Sequence, residues 1–361
     1  MSCARAPTLL AIYAMLSLQF VILACALGST VAIPSKPTCQ NPGVRKEWRA
    51  LGYSGQKAYV DAMKCLSSLP HDPSLSPTGA TPGLPPLDKN SSRYDDVVYT
   101  HMDANEKVHF TGRFYPFHRY FVHTVEDILQ KKCQYKGYIP YWDWTLGDYA
   151  DIKNSPIFSA DPVVGLGAFP DASTNFTLTT GAFRNWVRKY PIAHPIQRNY
   201  TLQPFKQQIF PWSFNLPDKR ANETQTPAEW QSIVTGYVGN FTAFQGAVDG
   251  VRAEGVHAST HRSLGGDVAD PSWSPNDPLF FLVHAQLDRL WATWQKQHPA
   301  NQYAIGGGED LETVNIDQFL TGSGKPVTAD TTIYLSNLGP DVKIKDLLST
   351  KGGVLCYDYA T

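Results

Sequence analysis

Apolar residues recur at intervals of three and four along several stretches of the chain, and this period predicts helices. Residues 55–68 place Tyr59, Met63 and Leu66 on one face, with Ser54 as N-cap. Ser92 caps a second helix through Tyr94, Val97, Val98 and His101. Pro116 stands near the first turn of a third, which runs through Phe117, Phe121, Ile128 and Leu129 to Lys132. Helical spacing returns over residues 227–237 and 241–265, the latter broken near Gly250. It is clearest over residues 278–297, where Phe281, His284, Leu287, Asp288, Trp291 and Trp294 recur. Residues 70–86 read as a Pro/Gly/Ser loop, and residues 145–225 as long surface loops with short elements. Beyond Gly306 the chain reads as irregular, with β-prone pieces such as residues 331–335. The pattern predicts a mainly α fold. Four helices carry histidines, the number a four-helix bundle needs to close around a buried site.

Residues 1–32 stand apart as a signal peptide. Arg5 opens it, Leu9 to Ala26 is almost uniformly apolar, and Thr30 and Ala32 suit cleavage. Residues 33–361 are then expected to form a single exported domain with no membrane attachment once the leader is removed. Cys39, Cys65, Cys133 and Cys356 remain in it, and four cysteines allow three pairings. The preferred one joins Cys39 to Cys356, tying the chain ends, and Cys65 to Cys133, joining two helical segments. Sequons at Asn90, Asn175, Asn199, Asn222 and Asn240 point to an N-glycosylated, secreted protein. Net charge is −1 with no basic run, which argues against a nucleic-acid partner. Nothing in the sequence sets the oligomeric state. Nine Trp, 18 Tyr and 17 Phe can fill a large core, and a few can line a site for an aromatic substrate.

Six of the ten histidines fall into two triplets: His101, His109 and His118, then His257, His261 and His284. Neutral imidazole ligates copper, zinc, iron and nickel, so two all-nitrogen triplets suggest a binuclear site. His257 and His261 lie four apart on a predicted helix, stacked about 6 Å apart along its axis. Ala258, Ser259 and Thr260 stand between them, so the glutamate of a His-Glu-x-x-His zinc protease is missing. His118 sits among Phe114, Phe117, Tyr120 and Phe121, where an imidazole must find a partner or a metal. His109 lies across a Gly112–Pro116 break and His101 one segment earlier, so three local segments are expected to converge. His71, His123, His194 and His298 are read as non-ligands.

The wording around these histidines resembles the tyrosinase, catechol oxidase and haemocyanin family. Residues 109–126, HFTGRFYPFHRYFVHTVE, are similar to its copper A signature. Residues 277–288, DPLFFLVHAQLD, match the copper B signature at Asp277, Pro278, Phe280, His284 and Asp288. Pro275-Asn276, Arg289, Trp291, the run Pro140 to Trp144 and Tyr357-Asp358-Tyr359 are also family-like. The resemblance spans residues 39–359 and is nearest to short, secreted fungal polyphenol oxidases. It implies a four-helix bundle with two copper ions, His101, His109 and His118 holding copper A and His257, His261 and His284 holding copper B. It implies O2 as co-substrate and a small phenol as partner. Asp288, one turn past His284, is expected to orient ligand imidazoles. Arg119 and Glu126 are expected to form buried structural pairing near His118.

Several positions depart from common family patterns. Val283 stands where many members have a second histidine, which lowers polarity near the site. Lys107 replaces the cysteine that forms a thioether in many relatives, leaving His109 less rigidly held. Tyr115 replaces an aliphatic residue before Pro116. Ala258 follows His257 where relatives carry a polar residue that helps deprotonate monophenols. Asp249 or Glu254 is placed to hold a water that acts as base, but Ala258 cannot complete the pair. Arg262 could attract acidic substrates or block part of the entrance. The reading therefore favours oxidation of o-diphenols to o-quinones over tyrosine hydroxylation, with o-aminophenols also open. No long tail follows Tyr359, so secretion in an active form is expected. A haemocyanin-type oxygen carrier is the alternative. A binuclear zinc hydrolase fits less well, because neither triplet includes a carboxylate.

Overall fold

The computed structural model describes residues 39–204, 220–250, 254–315 and 321–360. The leader read over residues 1–32 lies outside them. Among the described residues there are seven α-helices: α1 (Gly52–Leu66), α2 (Arg93–Val108), α3 (Phe114–Lys132), α4 (Pro227–Thr235), α5 (Phe241–Asp249), α6 (Val256–Leu264) and α7 (Leu279–Gln297). None is long and apolar enough to cross a membrane.

Helix α2 begins where its cap requires. The Ser92 side chain accepts from the Asp95 N–H, and the Asp95 carboxylate accepts from the Ser92 N–H, closing a capping box. Helix α1 instead starts two residues before the expected cap: Leu51 is its N-cap, without a side-chain bond, and Ser54 lies inside the helix. Gly250, at φ 78°, ends α5 and supplies the expected break before α6. Helix α7 is buried without interruption from Leu279 to Asp288. A helix apolar on nearly all sides belongs at the centre of a bundle; α3 packs against it through Phe121, Phe280 and Phe281, and α2 meets it through His101 on Phe280.

The segment expected to be surface loop is part of the core. Ile157, Phe158, Leu166, Leu178, Phe183 and Ile196 are buried, although the described residues of the segment form only short 3-10 turns and one hairpin, Val187–Arg188 against His194–Pro195. Two buried arginines pin it. Arg198 grips Asp277 through Nε and Nη2 at 2.7 and 3.0 Å, and Arg188 lies over the Tyr94 and Trp186 rings. Their charge hid this role, because a composition rich in Pro, Gly and Asn reads as solvent-exposed.

The chain ends meet. Strand Tyr357–Tyr359 runs parallel to strand Gly43–Arg45, with Val44 opposite Asp358. Disulfides join Cys39 to Cys356 and Cys65 to Cys133, the preferred pairing, at Cα separations of 5.3 and 5.8 Å. Thr332–Ile333, within the β-prone piece, pairs with Val342–Lys343.

Candidate metal centre

Helices α2, α3, α6 and α7 each bring at least one histidine to one buried place. His101 lies inside α2 and His109 is its C-cap residue, in extended backbone. Only two segments, not three, therefore build the first triad: α2 with its end, and α3 with His118. His257 and His261 come from α6 and His284 from α7. Within each triad one nitrogen from every ring lies within 4.8 Å of the others. The triads touch through His118 and His284, stacked at 4.2 Å between centroids.

Five of the six rings have Nδ1 against an oxygen acceptor. His101 donates to the Ser272 carbonyl at 2.7 Å, His118 to the Phe114 carbonyl at 2.8 Å and His261 to the Val268 carbonyl at 2.6 Å. His109 faces both the Asn105 carbonyl at 3.1 Å and the Asn105 Oδ1 at 2.9 Å. His257 donates to the Asp249 carboxylate at 2.8 Å. The sixth ring, His284, has no hydrogen-bond partner at Nδ1. An acceptor-only oxygen fixes the proton on Nδ1, leaving a bare Nε2 lone pair.

Those lone pairs converge. The Nε2 atoms of His261 and His284 are 3.1 Å apart, and those of His101 and His118 are 3.4 Å apart. Buried lone pairs facing each other without a proton are costly unless a cation lies among them. Protonation is the poorer answer here. Burial, first of all, pushes His109, His257 and His261 down to about 3 and holds His101, His118 and His284 well below the ordinary imidazole range. Six neutral imidazoles, with no carboxylate among the donors, fit copper.

Two phenylalanines close the floor. The Phe280 ring lies 4.1 Å from His284, 5.1 Å from His101 and 6.0 Å from His261, beneath both triads. Phe114 lies 4.7 Å from His118 and 4.5 Å from His257. Solvent reaches the opposite side: His109, His257 and His261 are 7–8% exposed, against 0–3% for the other three. His109, His257 and His261 are therefore the more accessible ligand rings.

Several expected accessory residues stand elsewhere. Asp288 does not touch a ligand ring. Its carboxylate accepts from Arg119, Arg45 (3.4 Å) and the hydroxyls of Tyr357 and Tyr359. The reason is geometric: one turn beyond His284, it faces α3 and the paired chain ends, where two buried arginines need a counter-charge. Arg119 thus pairs with Asp288, while Glu126 pairs with Arg45 at 3.1 Å, so the two residues expected to pair near His118 serve separate partners. Asp249 faces His257 Nδ1 through Oδ1, while its Oδ2 has no hydrogen-bond partner. Glu254 is half-buried just before α6, and Ala258 and Val283 are buried, Val283 in the apolar core. Arg262 is half-buried and donates to the Pro204 carbonyl at 2.7 Å, with burial pushing its guanidinium down to about 10. Lys107 pairs with Asp310 at 2.5 Å on the surface. His71, His123, His194 and His298 lie outside the triads. Sequence reasoning missed Asn105, although its position four residues before His109 on a helix places it on that ring.

The profile of the common central domain of tyrosinase matches residues 91–297, a span that holds all six histidines. Tyrosinase-like protein phomQ1 of Diaporthe leptostromiformis is 30% identical, over 92% of this chain and 81% of its own. N-acetyl-6-hydroxytryptophan oxidase ivoB of Emericella nidulans is 29% identical, over 94% and 98%. A solved polyphenol oxidase variant from Thermothelomyces thermophila superposes with a TM-score of 0.68 at 25% identity, covering 90% of this chain and 91% of that one. The chain belongs to the tyrosinase family. It is a tyrosinase-type oxidase whose two histidine triads make a binuclear, copper-type site.

Proposed function

We propose that this chain binds two copper ions and uses O2 to oxidise o-diphenols to o-quinones. The observation that carries this reading is the pair of converging Nε2 sets, both neutral and both without a carboxylate. His101, His109 and His118 would hold one ion, and His257, His261 and His284 the other. When bound, the copper pair supplies the two-electron exchange between O2 and the phenol. The protein orients five of the six imidazoles at Nδ1 through Ser272, Asn105, Phe114, Asp249 and Val268. Phe114 and Phe280 keep water from the floor, so a planar substrate arrives from the His109, His257 and His261 side.

Diphenol oxidation is favoured over hydroxylation of monophenols by two features. Ala258 offers no hydrogen-bonding group beside His257, and Asp249 is already engaged with that ring. A base for removing a monophenol proton is therefore incomplete at this position. One relative is named as an oxidase of N-acetyl-6-hydroxytryptophan, a hydroxyindole with a single ring hydroxyl, which extends the candidate substrates to hydroxylated aromatics beyond catechols. Initial rates on tyrosine, tyramine, catechol and o-aminophenol test this. Catechol is expected to be fastest, and a lag-free tyrosine rate equal to it would overturn the preference.

Export is part of the same proposal. Two disulfides suit an oxidising compartment. Asn90, Asn175, Asn199 and Asn240 are exposed, whereas Asn222 is half-buried with its Oδ1 enclosed. Peptide mass mapping of the exported chain should find glycans at the first four and none at Asn222. Unmodified asparagine at all four exposed positions would contradict export through a glycosylating pathway.

A further inference from the structure

We infer that residues 267–272, between α6 and α7, form one strap that holds the two metal sites in register, with Asp267 and Asp270 as positioning residues. The inference rests on the copper reading above. Three ligands from both triads are secured by two residues of this strap. The Val268 carbonyl accepts from His261. The Ser272 carbonyl accepts from His101. Asn105, whose Oδ1 faces His109 Nδ1, donates its own Nδ2 to the Ser272 Oγ at 3.4 Å. A carbonyl that takes an Nδ1 proton fixes the direction in which that ring's Nε2 points. The separation of Val268 from Ser272 along the chain therefore sets a ligand of one ion against two ligands of the other.

The strap has its own anchors, independent of the histidines. The Asp267 carboxylate accepts from the Gln197 N–H at 2.8 Å and from His194 Nε2 at 2.5 Å. The Asp267 N–H returns a bond to the Gln197 carbonyl at 3.0 Å. The Asp270 carboxylate accepts from the N–H groups of Ser272 at 2.8 Å and Trp273 at 3.1 Å, which fixes the turn that aims the Ser272 carbonyl. At Gly266 (φ 57°), the residue before the strap, a Cβ would come within 2.0 Å of the Gln197 carbonyl oxygen, so the chain enters the strap flat against Gln197 and Arg198. The other three ligands do not use it: His118 bonds within α3, His257 bonds Asp249, and His284 Nδ1 has no partner.

The test is a chelator challenge of the full exported chain, counting copper per chain. Wild type should load two coppers, and failure to do so would refute the copper reading itself. Asp267→Asn and Asp270→Ala should each release both coppers together, at chelator concentrations about 10-fold lower than wild type. Asp249→Asn serves as contrast, because it touches one triad only. Asp270→Asn keeps an oxygen acceptor for the same two N–H groups and should restore wild-type retention. If the Asp267 variant does not fold, the Asp270 pair carries the test, since that side chain is half-exposed. A two-copper wild type whose strap variants lose a single copper, or hold both as tightly as wild type, would overturn the strap. So would Asp270→Asn leaking as readily as Asp270→Ala.

Discussion

The Asp249 carboxylate accepts a hydrogen bond from His257 Nδ1 at 2.8 Å, and it is the only carboxylate bonded to any of the six ligand rings among the described residues. The other bonded rings rest on carbonyl or amide oxygens. Burial raises the Asp249 carboxyl to about 8, well above the ordinary carboxylate range, so on the alkaline side it is charged, and a negative acceptor makes an imidazole a stronger donor to a metal than a neutral one does. Asp249→Asn should therefore weaken copper at the second triad roughly 10- to 100-fold while the first triad keeps its ion. Equilibrium copper titration of the purified variant checks this. Equal affinity of both sites, unchanged from wild type, would count against it.

Asp288 should matter to the fold far more than to the metal. It neutralises Arg45 and Arg119 in a buried place and takes the hydroxyl protons of Tyr357 and Tyr359. Removing one member of such a network leaves buried charges without a partner, which costs about 3–5 kcal/mol. Asp288→Ala should lose that much in urea unfolding of the copper-free protein. A loss under about 1 kcal/mol would show that the chain ends are held chiefly by the Cys39–Cys356 disulfide and the strand pairing.

His194 gives a pH dependence with a defined sign. Its hydrogen bond to Asp267 raises the imidazole above its ordinary value, against partial burial and the nearby Arg188 charge. A raised value means the folded state holds the proton more tightly than the unfolded one. The stabilisation is fully present below the unfolded value of about 6.5 and disappears as pH rises through the folded value. His194→Gln should lower the melting temperature more at about pH 5.5 than at about pH 8.5. The difference should be modest, under about 1 kcal/mol, because solvent reaches the pair. A larger loss on the alkaline side would reverse the assignment.

Helices were legible wherever period and caps agreed, as at Ser92 and over residues 278–297. The ligand set was legible too, because a metal site demands one residue type at fixed spacing. Less legible was anything that depends on long-range backbone. The carbonyls of Val268 and Ser272 leave no mark on residue identity, so the acceptors that orient His261 and His101 could not be read. Asp249 was visible as an acid near the site, but whether it faced a water or a ring depended on how α5 meets α6 across Gly250. Asp288 shows the converse difficulty. It lies one turn from a ligand, yet its partners come from Arg45, Tyr357 and Tyr359 at the two ends of the chain. Arg188 and Arg198 were misleading for a related reason: charge in a Pro- and Gly-rich stretch resembles solvated loop until a ring or a carboxylate is found beneath it.

Oxygen uptake by the copper-loaded chain in the presence of 4-tert-butylcatechol, followed together with quinone absorbance, tests the central claim most directly. Each O2 consumed should yield two quinones and two waters from two catechols, and the activity should disappear when copper is removed and return when it is restored. A chain that carries two coppers and binds O2 reversibly without forming quinone would be an oxygen carrier, and the oxidase account would be wrong.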